Sequence, residues 1–182
     1  MSSYIFTSAR LGFRYWENED TPPFCEMCRD PRVMEFFPGT LSNQQSEEMI
    51  IRIKKHFAEK GYGLYAVDRL DRQSFIGFIG FSTPSFEASF TPCTEIGWRL
   101  QHDAWGQGFA TEGAIRCLEY GFATFHFPEI YSFTAVINKR SEQVMIKAGM
   151  QKTGYFDHPL VPDNSPLLRH ILYKIVPPTE HL

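Results

Sequence analysis

Apolar and polar positions recur with different periods along the chain, and each change of period predicts an element. Runs at residues 64–67, 75–81, 93–100, 131–137, around 151–155 and at 170–176 are β-type, and Ile5-Phe6 with Leu11 to Arg14 reads as a first strand, interrupted or preceded by residues 7–10. Alternation within 93–100 places Ile96, Trp98 and Leu100 on one face and Glu95, Gly97 and Arg99 on the other. Ile50, Ile53 and Phe57 recur at helical spacing between a Ser42/Gln45 capping box and Gly61. Ile115, Leu118, Phe122 and Phe125 form the stripe of a helix laid on a sheet. Asp20 before Pro22-Pro23 and Asp30 before Pro31 mark two further helix starts, the second serving residues 33–37. Asn138 can cap a helix from Lys139 or Arg140 to Ala148, closed by Gly149. The strand-helix-strand order predicts that 131–137 returns parallel to 94–100.

Between that strand and its crossover helix lies Trp105-Gly106-Gln107-Gly108-Phe109-Ala110-Thr111-Glu112. Two glycines one residue apart permit a tight turn with consecutive N–H groups exposed, and a helix beginning near Thr111 adds its unpaired donors and positive dipole end. That is a pyrophosphate cradle. A Walker loop requires Gly-Lys-Ser/Thr after its second glycine and a dinucleotide fingerprint requires a third glycine where Thr111 stands, so both fail here.

Composition narrows the picture modestly. At 182 residues the chain is read as one domain, 1–182, able to bury about 70% of its unfolded surface without staples. Eighteen basic against 21 acidic residues leave a net charge of −3, with no basic cluster to recommend nucleic acid. No apolar run approaches the ~18 residues of a membrane span, and the first residues lack a secretory leader pattern, which predicts a cytoplasmic protein. Cys25 and Cys28 share a helical face and read as small core residues rather than a redox pair. The six histidines show no metal-ligand spacing, so no metal is expected.

The glycine loop resembles the R/Q-x-x-G-x-G/A loop of the GNAT acetyltransferase superfamily, with Trp105 where Arg or Gln is usual. Trp-Gly-x-Gly-Phe-Ala-Thr-Glu is similar to the variant of the ribosomal-protein-alanine acetyltransferase-like branch. Arg10-Leu11, Arg14-Tyr15-Trp16, Asp30 to Met34, Ile96-Gly97-Trp98, Asn138 to Ser141 and Lys147 to Met150 follow the same order, so the resemblance spans nearly the whole chain. It implies an α/β (α+β) fold: a mixed, mostly antiparallel sheet with a central splayed parallel pair, flanked by helices.

The resemblance also implies acetyl-CoA as cofactor and direct transfer to a primary amine, either a protein N-terminus or a small molecule. Pantetheine would lie along Ile96, Trp98, Arg99 and Leu100, the pyrophosphate on Gly106, Gln107, Gly108, Phe109, Ala110 and Thr111, with Trp105, Asn138 and Ser141 completing the contacts. A lysine-like amine costs about 4.6 kcal/mol to deprotonate at pH 7 and a chain-terminal α-amine only about 1. Glu95 is the proposed base, through water, against a reading as a solvated strand residue. Aligning Asn138 and Gly149 puts Met145 where the family often has a thiolate-protonating tyrosine, so Ser141 becomes the donor, against a reading as a first-turn residue bonding local backbone. His158, His170, Trp16, Phe37, Phe86 and Phe90 are placed near the acceptor. Cys93 and Cys117 lack a base partner for a covalent intermediate. A non-catalytic acyl-CoA-binding module is the alternative.

Overall fold

A computed structural model describes residues 3–178. The elements run β1 (Phe6–Thr7), β2 (Leu11–Arg14), α1 (Thr21–Arg29), α2 (Asn43–Lys60), β3 (Leu64–Arg69), β4 (Ser74–Ser82), β5 (Glu95–Leu100), α3 (Phe109–Phe125), β6 (Ile130–Ala135), α4 (Lys139–Lys147), β7 (Gln151–Asp157) and β8 (Arg169–Ile175). The strands form one sheet in the order β1-β2-β3-β4-β5-β6-β8-β7, antiparallel throughout except where β5 meets β6. This is the mixed, mostly antiparallel, helix-flanked sheet that the resemblance implied.

Two cores lie on opposite faces of the sheet. On one, α3 and α4 cover Leu11, Phe13, Tyr65, Ile79, Phe81 and Ile96. On the other, α1 and α2 bring Phe24, Met27, Cys28, Ile50 and Ile53 onto Trp16, Ala66 and Phe78. Cys25 and Cys28 are buried and unbridged there, as small core side chains. Local signals place α2 closely: Ser42 accepts from the Gln45 amide while Gln45 bonds back to the Ser42 amide, and Gly61 ends the helix at φ 77°.

Several elements differ from their sequence pattern. Residues 33–37 form turns rather than a helix. The Asp30 carboxylate is taken by the amide and guanidinium of Arg32, and five residues before Pro38-Gly39 are too few to sustain helical nucleation. Asp20 precedes α1 but does not cap it. Its carboxylate receives two bonds of 2.7 Å from Arg14, which also holds Asp68 through Nε and Nη2 at 2.8 Å each, tying β2, β3 and the start of α1 together in the interior. α3 starts at Phe109, two residues earlier than expected, and its expected stripe holds in part: Leu118 is buried and Phe122 and Phe125 pack against the core, while Ile115 is exposed. Gly113, Ala114, Cys117 and Gly121 share the inward face. A Cβ at Gly113 would stand 2.2 Å from Ile79 Cδ1, and one at Gly121 2.5 Å from the Phe81 ring, so small residues let α3 approach the sheet closely. Trp16 is a core residue under α1, its indole N–H bonded to the Leu64 carbonyl, and does not reach the acceptor side.

Candidate active site

β5 is fully paired along one edge: residues 95–100 register against 82–77 of β4. Its other edge meets β6 at a single position, Glu95 opposite Tyr131, after which the strands diverge. The last bonds of the junction are Tyr131 N–H to the Thr94 carbonyl at 2.9 Å and Ser132 Oγ–H to the Ile96 carbonyl at 2.9 Å. A side chain thus occupies Ile96 where a ladder amide would stand. Strand alternation directs the N–H and C=O of Trp98 toward the opening, whereas those of Gly97 and Arg99 face β4. Of the four strand residues assigned to cofactor contact, Trp98 therefore offers its backbone. Ile96 has a fully buried side chain and an engaged carbonyl, Arg99 presents its side chain to the other face, and the Leu100 carbonyl accepts Trp105 Nε1–H at 2.9 Å.

The opening continues into the glycine loop. Gly106 and Gly108 have φ of 71° and 81°, the left-handed region that a side chain disfavours, and among the described residues none beyond its chain neighbours comes within 4 Å of a Cβ built at Gly106. Among the described residues, the amides from Gly106 to Thr111 have no acceptor. The first bond of the helical turn is Glu112 N–H to the Gly108 carbonyl, and no side chain caps α3. The loop is braced from outside: Arg10 donates to the Gln107 carbonyl and to Glu112, Arg69 donates to Gln107 Oε1, and both guanidiniums lie over the Phe109 ring. Gln107 itself bonds the Asp103 carbonyl at 2.7 Å, so its side chain holds the loop. Trp105, in place of the usual Arg or Gln, fastens the loop to the end of β5 and lies under the Arg140 guanidinium. Splay and loop open into one cavity of about 860 Å³, lined also by Phe133 and Thr134 of β6, by α4, and by residues of the β7–β8 loop.

A family model described as an acetyltransferase (GNAT) domain matches residues 10–151. The chain belongs to the GNAT acetyltransferase family. An uncharacterised N-acetyltransferase from Bacillus subtilis, YnaD, is 30% identical over 151 residues, 82% of this chain and 84% of its own. A GNAT acetyltransferase structure from Bacillus anthracis is 24% identical with a TM-score of 0.77, covering 93% of this chain and 96% of its own. The structure of a Vibrio cholerae spermidine N-acetyltransferase in complex with CoA and spermine is 19% identical with a TM-score of 0.72, covering 92% and 96%. At these identities the two structures speak for the fold alone, and the narrower ribosomal-protein-alanine branch rests on the loop residues.

In this GNAT chain, Glu95 stands beside the junction of the parallel strands. It is half-buried rather than fully solvated. Burial pushes its carboxyl up to about 7, countered by a 3.2 Å bond from Ser82 Oγ–H. It shares the α1–α2 face of the sheet with Gly97 and Arg99, and it does not line the main cavity. Asn138 caps α4: Oδ1 accepts from the Ser141 amide at 3.3 Å, and Nδ2 donates to Thr134 Oγ1 and Ser141 Oγ at 3.0 and 3.1 Å. Ser141 thus accepts from Asn138 rather than binding local backbone with its hydroxyl, which leaves its proton free toward the cavity that it lines. Met145 points into the core, 1% exposed, and its cavity-facing neighbour is Val144.

His158, His170 and Phe37 line the cavity. Phe86 and Phe90 stack instead with Phe133 and Phe156 in a cluster that also holds both histidines, and burial drives His170 down to about 4. Burial raises the thiols of Cys93, to about 11, and Cys117, so neither is a ready nucleophile. Sequence reasoning missed Ser132, whose hydroxyl closes the junction, and the α4 cations Lys139, Arg140 and Lys147, which line the cavity. A lone serine inside an apolar strand was the available signal for the first.

Proposed function

We propose that this protein is an acetyl-CoA-dependent N-acetyltransferase that transfers the acetyl group directly to a primary amine. The observation carrying this reading is the continuity of the unpaired β5 edge at Trp98 with the free amides of Gly106 to Thr111 in one cavity. The residues present fit the group: an extended edge suits an amide-bearing chain, the free amides and helix dipole suit a pyrophosphate, and Lys139, Arg140 and Lys147 suit further phosphate charge. Acetyl-CoA, when bound, supplies an acyl group activated as a thioester.

The chain's own residues do the rest. Trp98 N–H can polarise an acyl oxygen lying along the edge. Glu95, with its carboxyl near 7, takes a proton from the acceptor through water close to neutral pH. Ser141 holds its hydroxyl proton ready for a leaving thiolate, fixed by Asn138. The raised thiols of Cys93 and Cys117 favour direct attack over a covalent enzyme intermediate.

The experiment is calorimetric titration with CoA, followed by thiol release from acetyl-CoA across small amines and peptides with free N-termini. Binding together with amine-dependent release is expected, and Ser141→Ala should lower turnover while CoA affinity holds. Absence of CoA binding sinks the reading. Burial of Met145 and the lack, among the described residues, of a tyrosine lining the cavity favour one second reading, a non-catalytic acyl-CoA-binding module, which predicts binding without release from any acceptor.

A further inference from the structure

The protein buries two arginines, Arg14 at 5% and Arg99 at 9% exposure, and treats them in opposite ways. Arg14 gives its Nε–Nη2 edge to Asp68 and its remaining donors to Asp20 and the Tyr15 carbonyl. Arg99 has no carboxylate partner among the described residues. Among the described residues its Nη1 reaches only the soft sulfurs of Cys28 at 3.4 Å and Met49 at 3.9 Å, its Cζ lies 4.2 Å from the Phe37 ring centroid and 5.4 Å from that of Phe78, and its buried Nε has no partner. No bond engages Nη2 among the described residues. The edge that Arg14 uses to hold a carboxylate bidentately is thus unused in Arg99, although burying a cation without an anion is costly.

Arg99 also lines the main cavity, and since its backbone faces β4 it does so through its side chain. Among the described residues, the charged side chains lining that cavity are Arg99, Lys139, Arg140 and Lys147, with no aspartate or glutamate. Of the α4 cations, Arg140 lies over Trp105 beside the glycine loop and also reaches the α1–α2 loop, where it bonds Glu35 and lies over Phe36. Arg99 stands deeper, against α1, α2 and the loop between them, on the sheet face that also carries Glu95. Gly97 separates the two without a side chain, leaving the surface between them open.

We propose that Arg99 binds a carboxylate of the acceptor, so that the substrate class is a primary amine that also carries a carboxylate, and polyamines are disfavoured. This rests on the acetyl-transfer reading above and deepens it. A polycation would meet Arg99 and Lys147 unpaired, with Lys139 paired to Glu142 at 2.9 Å and Arg140 to Glu35, and no carboxylate lining the cavity among the described residues, whereas a carboxylate-bearing amine satisfies the buried guanidinium and leaves its amine toward the Glu95 side.

The test compares matched pairs, L-phenylalanine with L-phenylalaninamide and L-leucine with L-leucinamide, together with spermidine, by thiol release and by calorimetry on the CoA-loaded protein. The wild type should favour the carboxylate member of each pair by at least about tenfold in kcat/KM, even though the amide has the more easily deprotonated amine. Arg99→Gln should abolish that preference through KM with CoA affinity unchanged, Arg99→Lys should keep part of it, and the thermal midpoint of Arg99→Gln should hold or rise because an uncompensated buried charge is removed. Equal use of acid and amide, preference for spermidine, a fall in CoA affinity matching the fall in acceptor affinity, or a large loss of stability in Arg99→Gln would each overturn the assignment. Failure of turnover alone counts against acetyl transfer. In that case the calorimetric difference between acid and amide decides the role of Arg99 by itself.

Discussion

Glu95 shows how one residue can set both a pH profile and a stability profile. Its carboxyl is raised by burial to about 7, so the ionised, proton-accepting form grows as pH rises through that value. If Glu95 is the base, kcat/KM for an amine acceptor should climb along an acidic limb centred near 7, and Glu95→Gln should remove the limb and lower turnover about 10²-fold or more. Folding runs the other way. A carboxyl that holds its proton more tightly when folded contributes stability below its unfolded pKa, and that contribution is lost as pH rises through about 7. At full burial the loss would be at most about 3 kcal/mol, and less for a residue with a partly exposed edge. Glu95→Gln should therefore raise the thermal midpoint at pH 8 and leave it nearly unchanged at pH 4. A midpoint that moves equally at both pH values would mean that the carboxyl is not perturbed in this way, whatever its part in catalysis.

At the level of elements, α3 matters most because its first turn is the cradle. It is held against the sheet by small residues: a Cβ at Gly113 would meet Ile79 Cδ1 at 2.2 Å. Gly113→Ala should destabilise by about 1–3 kcal/mol through overpacking, although alanine's better helix propensity returns about 1. Ile79→Val removes the methyl it collides with and by itself should cost about 0.5–1.5 kcal/mol. In urea denaturation the double variant should lose less than the two singles added, and CoA affinity, weakened by lifting α3 in the single, should recover in the double. Strict additivity would show that α3 shifts without opposing Ile79. The same feature explains what the sequence could not convey. Signals confined to a few neighbours, such as the Ser42/Gln45 box, the two cradle glycines and the Asn138 cap, were legible because their partners lie within one turn. The inward face of α3 was legible only at Leu118, Phe122 and Phe125, because close packing selects Gly113 and Gly121 over the larger Ile115. Arg99 was legible as a strand residue but not as a buried cation, since Cys28, Phe37 and Met49 come from elements remote in sequence.

Across the whole molecule, net charge says little about the ligand. The chain carries −3 overall, yet among the described residues the main cavity is lined by Arg99, Lys139, Arg140 and Lys147 and by no carboxylate, Glu142 and Glu35 pairing Lys139 and Arg140 from outside the lining. The acidic excess sits outside that lining, where salt screens it within about 10 Å at 0.1 M, while cations along a concave wall act together on an entering polyanion. Lys147 occupies the pivotal place. It lines both the main cavity and a second, shallower hollow formed by Ser8, Thr111, Arg116 and Glu119 on the outer side of α3's first turn, so a ligand gripped at the free amides must pass near it in either direction. CoA affinity should consequently fall as salt rises from 0.05 to 0.5 M. Lys147→Gln should weaken CoA binding roughly three- to tenfold at low salt, flatten the salt dependence, and leave unfolding by urea unchanged, since an exposed lysine contributes little to folding. The control is Lys55→Gln on the exposed side of α2, which changes net charge identically from a position remote from the cavity. Equal losses from the two variants would mean that global charge governs binding, and the local arrangement of cations around the cradle would then carry no special weight.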